Sequence, residues 1–346
     1  MSISVLYKGE GDTHAPMNRK AVSLLSGGLD SLIATKIIVE QGIEVEALHF
    51  TSPFCTCSKG GKGCGIQAVR SANELGIEVN VRTKGLEYLE IVKKPRHGYG
   101  RAMNPCVDCR IFMLKNTRQF MDEVGASFIV TGEVLGQRPM SQRTDTLRLI
   151  ERESGLEGLI VRPLSARHFP PTIPEQEGIV NREKLLGITG RSRKGQYEFV
   201  HSRGLTEFSC PGGGCLLTDP IFAQKLRDLF TYQQELTMMD VALLKIGRHF
   251  RLDKKTKLIL GRNQDENSRL ASFHTPPSVL FNPVDFKGPV GLLIGIFYDD
   301  AIKQAANLMS CYGKSNSSPV TVKSNNGTVA IHTVDRQQIN ADSLMI

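Results

Sequence analysis

Three sets of residues in this chain have types and spacings that can do chemistry. The first is Ser26-Gly27-Gly28-Leu29-Asp30-Ser31, which lies between an apolar run, Ala21 to Leu25, and a helix-forming run, Leu32 to Glu40. Where a strand turns into a helix, free backbone N–H groups and the positive end of the helix dipole face the turn, and an anion fits there. Gly27 and Gly28 let the backbone approach that anion closely. Ser26 and Ser31 add hydroxyl donors. Asp30 beside a phosphate is reasonable if Mg²⁺ or the lysines of the site offset its charge. The loop lacks the G-x-x-x-x-G-K-S/T pattern of nucleotide kinases.

The second set is the cysteines. Asn104-Pro105-Cys106-Val107-Asp108-Cys109 lies just before a helical run, where the dipole is expected to lower a thiol pKa. Alone, the C-x-x-C reads as a redox pair, half a metal site or a sulfur-carrying nucleophile. Far downstream, Cys210-Pro211-Gly212-Gly213-Gly214-Cys215 reads as a bent loop able to fold back over it. Cys215 is preferred to Cys210 as the distant partner, because Gly214 to Pro220 is the more constrained stretch. Cys106, Cys109 and Cys215 together would hold a 4Fe–4S cluster with one open iron; the same thiols can instead carry a persulfide and release it as a disulfide forms. Cys55, Cys57 and Cys64 form a loop set with no fixed role, and Cys311 reads as a core thiol. The third set is basic: Arg96 and Arg101 run into the C-x-x-C, and Arg191, Arg193 and Lys194 flank the second segment. Such side chains meet nucleic-acid phosphates.

The elements that must position these residues alternate. Strands are expected at Ala21–Leu25, Val45–Phe50, Val79–Thr83 and Ser127–Thr131, with helices between and around them at 32–40, 66–75 and 111–124. That pattern predicts an α/β fold with a parallel, doubly wound sheet covered on both faces, and ligands outside the carboxyl ends of its strands. The glycine turn, His49-Phe50 and Thr131-Gly132 all fall at such ends. From Arg162 prolines punctuate the chain; residues 219–239 read as one helix, and strands near 258–260, 290–297, 320–323 and 328–333 with a helix at 301–308 read as a small α+β domain. The expected divisions are a leader over 1–17, the nucleotide domain over 18–165, a connecting segment carrying Cys215 over 166–238, and a C-terminal domain over 239–346.

At 346 residues, with a formal charge of +8, the chain has room for two or three domains and favours a polyanionic partner. Eight cysteines are too few for a disulfide scaffold. No run is long enough to span a bilayer and no signal peptide is visible, so no membrane association and a cytoplasmic location are expected.

S-G-G-L-D-S resembles the pyrophosphate-binding loop (PP-loop) of the ATP pyrophosphatase superfamily. Together with N-P-C-V-D-C, Ile129-Val130-Thr131-Gly132-Glu133-Val134-Leu135-Gly136-Gln137-Arg138-Pro139 and G-C-L-L-T-D-P, it is similar to tRNA-thiolating enzymes over about 18–235. The nearest likeness is to the catalytic domain of tRNA 4-thiouridine synthetases, with tRNA 2-thiouridylases as relatives. The resemblance implies an adenine nucleotide alpha-hydrolase-like fold and ATP with Mg²⁺ as cofactors. ATP would be held by Ser26, Gly27, Gly28, Asp30, Ser31, His49, Phe50, Thr131 and Gly132. It implies adenylation of a uracil carbonyl, then sulfur transfer through Cys106 and Cys215, with Cys109 added if a cluster is present. The implied partners are tRNA and a sulfur donor, either a cysteine desulfurase or sulfide. The N-terminal RNA-binding domain and the rhodanese-like tail of such enzymes are not expected here. Instead Ile246-Gly247-Arg248-His249-Phe250 and Ile259-Leu260-Gly261-Arg262-Asn263 resemble the NFACT-type RNA-binding module, which implies RNA contacts at Arg248 and Arg262. A homodimerisation domain, and a non-catalytic RNA-binding protein that keeps the nucleotide fold, are the alternatives.

Overall fold

The computed structural model describes residues 17–56, 64–209, 214–296, 298–314, 320–324, 327–331 and 340–346. Cys57, Cys210 and almost all of the expected leader lie outside them. In chain order the elements are β1 (Lys20–Leu24), α1 (Leu29–Val39), β2 (Glu44–Thr51), α2 (Cys64–Leu75), β3 (Val79–Thr83), α3 (Leu86–Lys93), α4 (Cys106–Glu123), β4 (Phe128–Thr131), α5 (Thr144–Ser154) and β5 (Ile160–Val161). Then come α6 (Ile173–Gln176), α7 (Lys194–Ser202), α8 (Pro220–Tyr232), α9 (Met238–Leu243), β6 (Arg248–Arg251), β7 (Thr256–Leu260), α10 (Gln264–Ser272), β8 (Val279–Pro283), β9 (Gly291–Gly295), α11 (Asp299–Cys311), β10 (Val320–Ser324) and β11 (Gly327–Ile331). Among the described residues no helix is long and apolar enough to cross a membrane.

The chain divides into two compact units. The first holds residues to Lys84, 95–98 and 105–214; the second holds 85–94, 99–104 and 215–346. These units are bounded differently from the expected divisions at 165 and 238. The reason is apolar: Ile179, Val180, Leu185, Val200 and Leu205 join the same core as Leu32, Ile33 and Phe128, so 166–214 completes the first unit.

In the first unit five strands run parallel in the order β3-β2-β1-β4-β5. The sheet is buried on both faces, so β1 and β4 read as continuous apolar runs rather than alternating ones. Ala21, Val45, Phe128 and Val130 pack under α1, whereas Val22, Leu48 and Ile129 pack with Ile111, Leu114 and Ile150 of α4 and α5. The strand order reverses at β1, and ligand crevices in doubly wound sheets form at that point.

In the second unit a six-stranded sheet runs β11-β10-β8-β9-β7-β6, with every pairing antiparallel. One face packs on Ala305, Ala306, Leu308 and Met309 of α11. The other face carries Ile259 and Leu292 against Leu243, Ile246 and Leu270. The helix expected over 219–239 is two helices. Asp219 caps α8 by accepting from the Phe222 N–H at 2.8 Å. A new capping box, in which Thr237 and Asp240 exchange hydrogen bonds, then starts α9. Cys311 is half-buried in the last turn of α11, not a sealed core thiol.

Candidate active site

β1 delivers the glycine loop to the carboxyl edge of the sheet. Gly27 has φ +74°, and a Cβ there would lie 2.8 Å from the Ala68 nitrogen, so α2 can pack on the loop only if this residue is glycine. Gly28 caps α1 without a side-chain hydrogen bond, which leaves the first-turn N–H groups without a side-chain cap. Ser31 is buried. Its hydroxyl accepts from the Ser26 N–H at 3.1 Å and donates to the Gly28 carbonyl at 2.9 Å, so it braces the loop. Ser209 adds a strand-like rung from outside: its N–H and hydroxyl both donate to the Gly27 carbonyl, at 2.8 and 3.0 Å.

The end of β4 closes on the same loop. A Cβ on Gly132 would sit 2.5 Å from the Ser31 nitrogen and 2.6 Å from the Asp30 carbonyl oxygen. The segment beyond it then reaches Asp30. Gln137 Nε2 donates to one Asp30 oxygen at 2.7 Å, and Gln196 Nε2, from α7, donates to the other at 3.2 Å. Arg193 stands 3.9 Å from the same carboxylate. Asp30 is thus offset by an arginine and two amides rather than by lysines, and Arg193 lies at the loop.

His49, at the end of β2, is buried with Nδ1 2.8 Å from the Leu25 carbonyl, while Nε2 has no hydrogen-bond partner. Burial lowers its pKa, so the ring is neutral near pH 7. Phe50, by contrast, is only partly buried and faces the α4 side of the sheet. Thr131 is buried and donates to Glu133 at 3.2 Å.

In a β-α-β crossover the helix runs against its strands, which puts the start of α4 at the same edge. There Cys106 and Cys109 lie one turn apart, both half-buried. The expected drop in the Cys106 pKa is not what the structure shows. Burial and the adjacent Cys109 push that thiol up, against the pull of Arg138 and Arg110. Lys84, at the end of β3 and 7% exposed, donates from Nζ to Cys109 Sγ at 3.1 Å. Asp108 accepts the N–H groups of Arg96 and His97, each at 3.0 Å, so the C-x-x-C carries its own clamp on the basic loop.

Behind α4 lies a buried ion network. Glu133 is 1% exposed; Arg110 Nε and Arg162 Nε each donate to it at 2.9 Å, and Arg162 also reaches Glu151. Burial opposes ionisation of Glu133, but the two guanidinium groups overcome it and hold the carboxyl at about 2.

The other basic residues are distributed unevenly. Arg96 is exposed and pairs with Glu153 at 3.1 Å, and Lys194 pairs with Glu198 at 3.9 Å. Arg191 is exposed. Arg101 and Cys215 belong to the second unit. In that unit Arg262 is held by Glu266, and Arg248 lies over the Tyr312 ring at 5.0 Å. Thr56 and Gly214, both of the first unit, hydrogen-bond to each other at 2.9–3.2 Å. Among the described residues no group of three Cys, His, Asp or Glu side chains is placed to hold a metal ion.

The sequence reading missed Lys84, Gln137, Gln196, Ser209 and the Glu133 network as parts of this site. Gln137 and Glu133 sit inside the motif after β4 and were open to notice. Gln196 and Lys84 carry no local signal.

The five-stranded parallel sheet and the glycine turn between β1 and α1 place this unit in the doubly wound α/β class. Residues 17–169 match the family model for the thiamine biosynthesis protein (ThiI), and residues 247–344 match that for the NFACT protein RNA binding domain. The first part of the chain thus resembles ThiI and the last part resembles the NFACT RNA-binding domain. It is 32% identical over 160 residues to a "Probable tRNA sulfurtransferase" of Lysinibacillus sphaericus, covering 45% of this chain and 37% of that one. It is 34% identical over 130 residues to a protein of the same name from Methanothermobacter thermautotrophicus, covering 37% and 33%. This chain thus spans little more than a third of the length of these relatives. A 4-thiouridine synthetase solved as an RNA complex with bound ATP aligns at 24% identity and TM-score 0.36, covering 65% of this chain and 52% of that one.

Proposed function

We propose that this chain is an ATP-dependent tRNA uridine sulfurtransferase, with 4-thiouridine as its product. The observation that carries the reading is the meeting, at one sheet edge, of an anion loop shut by Gly132 and a C-x-x-C helix start. The loop from Ser26 to Ser31 holds the ATP phosphates. Mg²⁺ bound mainly by phosphate oxygens and water needs only one or two protein carboxylates, and Asp30 supplies one. The uracil carbonyl oxygen attacks the α-phosphorus and pyrophosphate leaves. That oxygen, a poor leaving group before, then departs as part of AMP when sulfur attacks the carbon. A cysteine desulfurase passes sulfane sulfur to Cys106 as a persulfide, and its outer sulfur attacks the activated carbon as AMP leaves. Cys215 then attacks the Cys106 sulfur, which breaks the S–S bond, frees the thiouracil and leaves a Cys106–Cys215 disulfide for an external thiol reductant to reopen. The half-buried Cys106 is a thiol at rest, because burial and the adjacent Cys109 push its pKa up. The NFACT-type domain supplies RNA capture, and the reaction fits a cytoplasmic enzyme.

The test is nucleoside mass spectrometry of tRNA from cells with and without the gene. Loss of 4-thiouridine is expected on deletion. Loss of 2-thiouridine instead would reassign the product, and an unchanged nucleoside profile would contradict the proposal.

A further inference from the structure

The arginines that the sequence marks for RNA in the second unit are engaged within the fold, Arg262 by Glu266 and Arg248 by the Tyr312 ring. Positive charge that is exposed and makes no ion pair among the described residues lies elsewhere in the unit. A half-open cleft of about 270 Å³ is formed by the end of α8, by α9, by the β6–β7 hairpin and by the end of β9. Leu229, Leu243, Leu244, Ile259 and Ile294 give it apolar walls. Lys254 and Lys255, at the hairpin turn, stand on its rim; both are exposed, and neither makes an ion pair among the described residues.

Tyr232 lines the same cleft and is 45% exposed. The Arg251 guanidinium covers its ring at 4.6 Å and is itself fixed by Asp228 at 2.6 and 2.9 Å. Asp228 also holds Lys257 at 3.0 Å. The walls are tied together by Lys225 of α8, which donates to the Gly247 carbonyl at 2.9 Å and lies 3.5 Å from that of Leu244. The cleft is therefore built before any ligand arrives, and its aromatic ring is already oriented.

A phosphate chain alone has no use for apolar walls, and an apolar ligand alone has no use for two unpaired lysines. A nucleotide needs both, since single-stranded RNA is held by stacking bases on aromatic rings while cations follow the backbone. We propose that this cleft seats one unstacked nucleotide of the RNA, its base against Tyr232 and its flanking phosphates on Lys254 and Lys255. This rests on the reading of the C-terminal domain as the RNA-capturing part. It also puts the contact partly outside 247–344, because Tyr232 and α9 precede that segment.

The experiment measures binding of the full-length chain to a tRNA transcript and to a twelve-nucleotide single-stranded RNA across a salt series. K254E/K255E is expected to weaken both by tenfold or more and to lower the slope of log affinity against log salt by about 1.4, at 0.7 per lost phosphate. Tyr232→Ala is expected to cost about tenfold on the single strand, with little change in that slope. Thermal unfolding checks that the exposed lysines can be replaced without loss of the fold. If the wild-type chain binds tRNA and both variants bind as tightly, the cleft is overturned while the RNA-capturing reading stands. If the wild-type chain binds neither RNA, both fall. If a duplex of the same length competes as well as the single strand, the unstacked nucleotide is overturned.

Discussion

In the first unit the buried carboxylate of Glu133 lies between Arg110 and Arg162, and Arg110 is the neighbour of Cys109 in α4. In the second, Lys225 and Asp228 are buried a turn apart on α8; one holds backbone carbonyls and the other holds Arg251 and Lys257. Both units thus bury charge, and both pair it. In the first unit the pairing fixes the helix that carries the cysteines to the strand end that shuts the phosphate loop. In the second it fixes scaffold elements to each other and leaves the surface lysines free. Buried charge beside a reacting group positions chemistry; buried charge away from one positions a surface.

The largest effect that would break this contrast is at the loop itself. Gly132→Ala forces a methyl group into the Ser31 and Asp30 backbone, so pyrophosphate release should fall by about a hundredfold or more, as expected when a catalytic constellation is displaced by about an ångström. A near-normal rate would mean that β4 and the loop do not meet as described. Next, Glu133→Gln leaves two guanidinium groups short of a partner and should cost about 3–5 kcal/mol in denaturant unfolding. A loss under about 1 kcal/mol would make the network dispensable.

Both units should gain stability as pH rises, but in separate windows, one acid and one alkaline. Glu133 is held at about 2, below its unfolded value, so its contribution is full above about pH 4.5 and is lost as pH falls toward 2. Lys225 is pushed down to about 8, chiefly by burial and then by Arg262 and Lys257. Between about pH 8 and 10.4 the unfolded chain therefore binds the extra proton, and stability should rise with pH. Lys225→Met should flatten that alkaline limb in thermal melts, whereas Glu133→Gln should flatten the acid one. The smallest effect is at Arg262, whose side chain is 49% exposed; Arg262→Ala should cost about 1 kcal/mol or less and leave tRNA affinity nearly unchanged, and a large loss of affinity would shift RNA contact away from the cleft.

The loop was legible because its signal is local: two glycines and two serines between an apolar run and a helix. The parallel sheet was legible for the same reason, since β1 and β4 are short, mostly apolar runs without alternation. Strand β6 was not, because Arg248-His249-Phe250-Arg251 has one apolar residue in four and its buried pair includes His249. Nor was β8, which ends in Asn282-Pro283. The break between α8 and α9 is marked only by the Thr237–Asp240 box, which a helical reading of the whole stretch passes over. Gln196 reaches Asp30 across 166 positions, and Lys84 reaches Cys109 from another strand end. Such meetings are set by topology, and no spacing announces them. The dipole argument for Cys106 was sound as far as it went, but burial at that helix start outweighs it.

The central claim is that activation and sulfur delivery are separate steps at one sheet edge. The most direct measurement follows pyrophosphate and thionucleoside in the same reaction of the Cys106→Ala variant with ATP, tRNA and a sulfur donor. The account predicts tRNA-dependent pyrophosphate release with no thiouridine formed. Thiouridine formed at the wild-type rate, or pyrophosphate release indifferent to tRNA, would contradict it.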